Sequence, residues 1–353
     1  LIAQKSSWTG EVPYSGPTSV SRSILLQTAD ALVAERKRAL VLCGAGDVAS
    51  QIAANWLNQM LGAYEQIADL GHPSYIAQGE AGAFDALLGE MERGEVAVLI
   101  VRGCNPAQDH PRAEEFRRAA AKVGLLVSLA GRPDETAKLA KVVCPEHHAL
   151  ESWGDYDAHA GLISLSQPTL SPLRSTRDAL ETLARWDGRR NSAHELIRAH
   201  WRSSIFPRQK KLRNFDEFWE QSVRIGAVAL ENGAVQATFN PSALSTLKAP
   251  ATHGTGYELI AYAGVPLGDG RQANNPWLQE LPDPITKTTW GNVASFAPSD
   301  AKSLGLIEGR VVKLTAGGVS VELPAHIQPG QAPGTVASAL GYGRTVLGPM
   351  AGN

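Results

Sequence analysis

Hydrophobic positions in the first part of the chain recur at helical spacing, interrupted by short runs that are apolar throughout. The spacing predicts helices over 18–37 and 48–61, the second ended by Gly62. Between them, residues 39–43 are continuously apolar and are followed by glycines, which predicts a strand and a tight turn. A strand, a glycine turn and a helix in this order are typical of the first unit of a parallel α/β fold.

The same alternation continues to residue 144. Residues 96–101 are all apolar, as expected for a strand that is covered on both faces. We therefore predict a doubly wound parallel sheet domain, with ligands at the carboxyl ends of its strands. The pattern places helices over 84–93, 113–123 and 135–140, and strands over 96–101, 125–129 and 142–144.

The pattern changes after a mostly helical stretch at 176–233, which includes an Arg-rich surface excursion at 185–213. Many short strands with glycine and proline between them are typical of a compact barrel or sandwich, so we predict a small β-barrel-like domain. Strands are predicted over 235–239, 257–262, 311–315, 319–323 and 335–339. The domain boundaries that follow are a lead-in over 1–17, an α/β domain over 18–233 and the β-rich domain over 234–353.

Charge and composition exclude some classes of function. The net charge is −2, so no basic surface indicates binding to nucleic acid. No apolar run reaches the roughly 18 residues of a membrane span, so we expect no direct span. The chain begins with Leu1 and shows no secretory signal profile, so we expect upstream sequence to be missing.

The three cysteines lie far apart in the sequence. Cys43, Cys104 and Cys144 form no Cys-x-x-Cys framework for zinc or an iron–sulfur cluster, and we expect them to be buried packing residues. Residues 146–151 include two adjacent histidines and two glutamates, but neighbouring loop residues seldom both bind a metal. A partner-binding or surface loop is the preferred interpretation there.

Two loops that follow predicted strands carry candidate ligand groups. Gly44 and Gly46 could let a phosphate approach the N-terminus of a helix, but no acidic residue follows at dinucleotide-binding spacing, which favours a plain tight turn. In the second loop, Asn105 precedes Pro106. Asn105 could hydrogen-bond a ligand at the carboxyl end of the strand or satisfy its own turn.

The segment 134–154 resembles the molybdopterin oxidoreductases. It contains the family's Glu-Thr-Ala, apolar strand, proline, glutamate and glycine in order, with Lys141 where the family has aspartate. The loop 103–106 resembles the family's Gly-x-Asn-Pro loop, which lies beside a pterin-guanine dinucleotide in active members. The run 300–312 resembles the family's Asp-Ala, Leu-Gly and Gly-Asp-x-Val pattern, with Arg310 in place of aspartate.

A more specific resemblance covers 273–284, 288–292 and 340–345, which are similar to the molybdopterin-like iron–sulfur subunit of alternative complex III. That complex is a membrane quinol oxidoreductase, and the pterin-type half of the subunit keeps the fold without the cofactor. The resemblance implies a non-catalytic scaffold with iron–sulfur and cytochrome subunits as partners. It further implies attachment to a membrane through those partners, on the periplasmic face.

Two alternatives stay open. The chain could be the C-terminal part of an active molybdenum or tungsten bis-pterin oxidoreductase, which would bind molybdopterin guanine dinucleotide, or an unrelated α/β ligand-binding protein. For Asn275 and Asn292, hydrogen bonds that stabilise a loop are an equal alternative to a ligand contact. No catalytic residue and no metal ligand is assigned. The candidate cofactor contacts are Gly44, Gly46, Asn105, Pro106, Asn275 and Asn292.

Overall fold

The computed structural model describes residues 1–5, 20–44, 46–76, 79–231, 239–247 and 256–346. The α-helices in these ranges are α1 (Ile2–Lys5), α2 (Arg22–Ala34), α3 (Val48–Leu61), α4 (Ala63–Gln66), α5 (Ala81–Glu92), α6 (Pro106–Asp109), α7 (Ala113–Ala120), α8 (Glu135–Leu139), α9 (Ala179–Trp186), α10 (Ala193–His200), α11 (Phe215–Ile225), α12 (Pro276–Glu280) and α13 (Pro298–Leu304). Short 3-10 turns span Ala149–Glu151, Phe206–Arg208 and Pro241–Thr246, and a π turn spans Trp201–Ile205.

The strands divide among three sheets. They are β1 (Val98–Val101), β2 (Leu125–Ser128), β3 (Val142–Val143), β4 (Gly154–His159), β5 (Leu162–Ser166), β6 (Ala227–Ala229), β7 (Glu258–Tyr262), β8 (Ala294–Phe296), β9 (Val311–Ala316), β10 (Val319–Ile327) and β11 (Thr335–Ala339). The sheet orders are β1-β2-β3, β4-β5-β6 and β7-β11-β8-β10-β9.

Contacts group the chain into two compact units, each made of separate stretches of sequence. The first unit comprises Leu1–Gln78, Gly154–Ser166 and Ile197–Thr252, and the second comprises Gly79–Trp153, Gln167–Leu196 and His253–Asn353. The predicted domain boundaries at 17/18 and 233/234 fall outside the described residues, as does nearly all of the predicted strand 235–239. Those boundaries stay predictions.

The first unit contains helices that begin and end where local chemistry favours it. The helix α2 starts after Ser21, whose hydroxyl accepts a hydrogen bond from the Ile24 N–H. The carboxylate of Asp47 accepts one from the Ser50 N–H, 2.8 Å away, at the start of α3. Gly62 ends α3 with a φ of 70°, a left-handed conformation that glycine adopts without strain. Both predicted helices are therefore confirmed: α3 has the predicted bounds, whereas α2 spans Arg22–Ala34 within the predicted range 18–37.

The predicted strand at 39–43 does not form, and this prediction is wrong. The side-chain amide of Asn58 on α3 instead bonds the backbone of Val41 twice: its oxygen accepts from the Val41 N–H at 2.7 Å, and its nitrogen donates to the Val41 carbonyl at 2.9 Å. One side chain thus satisfies the two groups that a neighbouring strand would satisfy. Gly44 and Gly46 consequently do not follow a strand.

The second unit contains the parallel sheet expected near the middle of the chain. The strands β1, β2 and β3 are all parallel, with Ile100 opposite Val127 and Val127 opposite Val142. The helices α5 and α7 cover one face through a cluster that includes Leu88 and Phe116. The α/β class with a parallel sheet is therefore confirmed. The order of the described strands does not reverse, so the doubly wound order is not seen among them.

The C-terminal strands of the second unit form a mixed sheet. Its core includes Phe296 on β8, Ala325 on β10 and Val336 on β11. Within the described ranges β7 and β9 lie at opposite edges of this sheet, so no closed barrel is found in them. The predicted strands at 257–262, 311–315, 319–323 and 335–339 correspond to β7, β9, β10 and β11. The strand β8 was not predicted, because its three residues are all buried and show no alternation.

Candidate functional site

A cleft of about 680 Å³ lies at the carboxyl ends of the parallel strands, where open α/β sheets bind ligands. The loops after β1, β2 and β3 each contribute to its wall, and two arginines from the C-terminal part of the second unit complete it. The lining residues used below are Cys104, Asn105, Asp109, Asp134, Arg271 and Arg344. The predicted loop 103–106 therefore borders a cavity.

Glu135, the first residue of α8, forms the centre of a buried polar network beside this cleft. It is only 7% exposed. Its carboxylate accepts hydrogen bonds from the Asn105 amide nitrogen at 2.7 Å, from Arg344 Nη2 at 3.0 Å and from the Thr345 backbone N–H at 2.8 Å. A buried carboxylate with several donors is satisfied within the protein, which is the condition for keeping its charge there.

The network controls the ionisation of Glu135. Burial alone would raise the pKa of this carboxyl, but the hydrogen bonds from Arg344, the Thr345 backbone and Asn105 outweigh burial and lower the pKa to about 2. The net shift is upward for two other carboxyls at the cleft, because burial raises the pKa of Asp109 and of Asp134 and their other interactions do not outweigh it. Glu135 is thus ionised at neutral pH and is held by its donors.

Arg344 joins this network to a second loop. It is 6% exposed, and its Nη1 donates to the Gly270 carbonyl at 3.0 Å and lies 3.8 Å from an Asp109 carboxylate oxygen. The backbone around Gly270 approaches that of Gly341 so closely that a Cβ on Gly270 would lie 3.1 Å from the Gly341 Cα. Arg344 is therefore locked between charged and carbonyl oxygens.

Both ends of the Asn105 side chain bind within the protein. Besides the bond to Glu135, its Oδ1 accepts from the Thr136 N–H at 3.0 Å and from the Thr136 hydroxyl at 2.6 Å. The Asn105 side chain thus bonds α8 rather than its own turn, and the contact of Asn105 with a cofactor stays a prediction. Pro106 is buried at the first position of α6.

The other predicted contacts occupy separate places. In the second unit, Asn275 caps α12 by accepting from the Trp277 N–H at 3.1 Å. Asn292 donates to the Ala339 carbonyl at 2.7 Å and accepts from the Val293 N–H, on the wall of a different cavity of about 330 Å³. Gly44 and Gly46 are exposed in the first unit.

Two features of the site were not identified from the sequence. Glu135 and the 340–345 segment were noted only as parts of a family pattern, and their pairing across 209 residues was not predicted. The usable signal was a single arginine in a run of glycines and small residues at 341–345. Cys104, expected to be a buried packing residue, is exposed at the cleft, while Cys43 and Cys144 are half-buried.

The histidine-rich loop is organised by hydrogen bonds. His147 Nδ1 lies 2.6 Å from the Thr176 hydroxyl, and His148 caps the short turn that contains Glu151. In the ranges given above, no three His, Cys, Asp or Glu side chains are placed to hold a metal ion together. The same ranges contain no helix with the length and apolar character needed to cross a membrane.

No family model matches the chain. NADPH-Fe(3+) oxidoreductase subunit alpha of Geobacter sulfurreducens is 28% identical over 247 residues, which are 69% of this chain and 27% of that protein. The arsenate respiratory reductase molybdopterin-containing subunit ArrA of Shewanella sp. strain ANA-3 is 35% identical over 82 residues, covering 23% of this chain and 10% of that subunit. Trimethylamine-N-oxide reductase of Vibrio cholerae is 25% identical over 140 residues, covering 35% of this chain and 17% of the enzyme.

Among solved structures, acetylene hydratase from Pelobacter acetylenicus is similar with a TM-score of 0.48 and 17% identity, covering 73% of this chain and 39% of that one. The chain spans only about a quarter of the length of the Geobacter relative.

Proposed function

The chain is related to the molybdopterin oxidoreductases, as its sequence indicated, and on that premise we propose that it is a non-catalytic scaffold within a larger oxidoreductase subunit. The parent assembly in this proposal is a respiratory complex that oxidises quinol. Its partners are iron–sulfur and cytochrome subunits, through which it is attached to the periplasmic face of a membrane. The relationship contradicts the alternative of an unrelated α/β ligand-binding protein.

The observation that carries the proposal is the internal bonding of Asn105. A cofactor that displaced this amide from Thr136 or from the buried Glu135 carboxylate would leave a buried polar group without its partner. Leaving a buried polar group unsatisfied costs about 1–3 kcal/mol, and more when the group is charged. The loop that would touch a pterin dinucleotide in an active relative is thus better suited here to holding α6 against α8.

The remaining predicted contacts support the same view. Both ends of the Asn292 amide bond the protein backbone, and the oxygen of Asn275 caps a helix. These side chains are thus already used by the protein's own backbone, which supports the scaffold role. The name of the Geobacter relative, a subunit alpha, supports other subunits as partners.

The pterin content of the native protein tests the proposal. The full-length protein that contains this chain would be purified with its partners, oxidised with acid and iodine, and assayed for pterin fluorescence, with molybdenum and tungsten measured by mass spectrometry. A trimethylamine-N-oxide reductase treated in parallel controls for recovery. We expect pterin far below one molecule per chain. A stoichiometric amount would overturn the scaffold role.

A further inference from the structure

An apolar groove of about 780 Å³ lies within the first unit. Its lining comes from the segment 208–212, from β6 with the two residues that follow it, and from α11 with Phe218, Ser222 and Ile225. The groove therefore runs along a strand.

Among the strands that the structure describes, β6 lies at an open edge of its sheet. The register places Ile163 opposite Val228, and the bonds Leu165 N–H to Gly226 carbonyl and Leu230 N–H to Gly161 carbonyl flank this pair. In an antiparallel ladder every second residue bonds the neighbouring strand. The backbone groups of Ala227 and Ala229 consequently point away from β5, and neither residue has another backbone partner among the residues that the structure describes.

The rim of the groove is cationic. Arg208, Lys210 and Lys211 line it against a single acid, Glu231. Lys210 lies 3.3 Å from Glu231, but both side chains are more than four-fifths exposed, so the pair contributes little. Within the described ranges Arg208 and Lys211 have no ion-pair partner. The rim is therefore complementary to acidic side chains.

We propose that this groove binds an extended segment of a partner polypeptide, which adds to the open edge of β6 as a further strand. Main-chain bonds would go to the backbone N–H and carbonyl groups of Ala227 and Ala229. Apolar side chains of the segment would enter the groove, and acidic residues at its ends would meet Arg208 and Lys211. An exposed edge with unpaired N–H and carbonyl groups is a template for such pairing, and side-chain pockets then give specificity.

This proposal depends on the scaffold role in one respect: it takes the molecule bound in the groove to be a polypeptide partner. The pterin measurement tests that role and a peptide-binding measurement tests this groove, so each can fail without the other.

The experiment uses the full 353-residue chain and a fluorescein-labelled peptide, Asp-Val-Thr-Val-Thr-Val-Asp, followed by fluorescence anisotropy. The control peptide has lysine at both ends. Because the Ala229 N–H faces the groove, Ala229→Pro removes one docking bond without breaking the ladder to β5, and edge strands tolerate proline. Ala229→Val keeps the N–H and is the matched control. Lys211→Glu reverses one charge of the rim.

We expect the acidic peptide to bind about tenfold more tightly than the lysine peptide, Ala229→Pro to weaken binding about tenfold, and Ala229→Val to bind like the original chain. Lys211→Glu should reduce the ratio between the affinities for the acidic peptide and the lysine peptide. Bound peptide should also slow hydrogen exchange of the Ala227 and Ala229 amides. Equal binding of both peptides, or unchanged binding by Ala229→Pro, would overturn the proposal. Protection of those two amides without peptide would overturn it as well, because the edge would already be occupied.

Discussion

At the scale of single residues, the site is dominated by one buried charge whose donors come from distant parts of the sequence. Glu135 alone in an apolar interior would take up a proton, because desolvation disfavours the charged form. Arg344, Asn105 and the Thr345 N–H reverse that tendency and hold the pKa at about 2. The resulting difference from the ordinary value of 4.5 connects this carboxylate to the stability of the fold.

The pH dependence of a Glu135→Gln variant tests that connection. A depressed pKa means that the folded state binds its proton less readily than the unfolded state, so the stabilisation is complete above about 4.5 and is lost as pH falls toward about 2. The variant should therefore be less stable than the original chain by about 3 kcal/mol at pH 7, and this difference should shrink as pH falls to 3. Urea unfolding at several pH values measures both. A difference that stays constant over this range would contradict the assigned role.

This network could be predicted from the sequence only in part. The Glu-Thr-Ala motif and the Gly-x-Asn-Pro loop were recognised, and both lie at the site. Their mutual bonds and their link to Arg344 depend on how the chain returns after 209 residues, which no local pattern encodes. The predicted contacts at Gly44 and Gly46 show the converse, since the strand that was expected before these glycines is absent.

At the scale of elements, helices were predicted more accurately than strands. Helix ends are set by local chemistry such as the Asp47 cap and the left-handed Gly62, which a sequence displays directly. Strands need a partner, and for 39–43 the partner was replaced by the side chain of Asn58. The hairpin of β4 and β5 was also missed, because β4 contains Asp155, Asp157 and other polar residues that are typical of loops.

Gly46 precedes α3 and Gly62 ends it, and the effects of replacing each by alanine can be compared directly. Gly62 has a φ of 70°, so Gly62→Ala should destabilise the chain by about 1–2 kcal/mol through the strain of a left-handed alanine. At Gly46 an added Cβ would meet no described atom within 4 Å, so Gly46→Ala should change stability by less than about 0.5 kcal/mol. Thermal unfolding of both variants provides the measurement. Equal losses would show that the turn at Gly46 also requires glycine.

At the scale of the whole molecule, the second unit brings together segments that are far apart in the sequence. The parallel strands come from 98–143, whereas Arg344 follows the last strand of the mixed sheet. Arg344 touches Glu135 on α8 and the Gly270 carbonyl in the loop after β7, so a single side chain holds both sheets of this unit. Removing one partner of a buried pair leaves the other charge uncompensated.

Arg344→Met should therefore cost about 3–5 kcal/mol in the free energy of unfolding. The control is Arg271→Met, because Arg271 lines the same cleft but is 67% exposed, and its one ion pair among the described residues is with the exposed Asp269. Its loss should lie within about 0.5 kcal/mol of zero. Calorimetry and urea unfolding of the two variants distinguish them. Similar losses of unfolding free energy in the two variants would mean that any positive charge at the cleft stabilises the unit, rather than the buried pair of Arg344 and Glu135.

The separation of Glu135 and Arg344 also determines when the site can be completed in the cell. A ribosome adds about 5–20 residues per second, so the 209 residues between the two take about 10–40 s to synthesise. During that interval the parallel strands are already available, while the guanidinium that compensates Glu135 does not yet exist. The cleft therefore cannot be completed until residue 344 has been synthesised, and a nascent chain halted before that residue would display the Glu135 carboxylate to chaperones without its arginine.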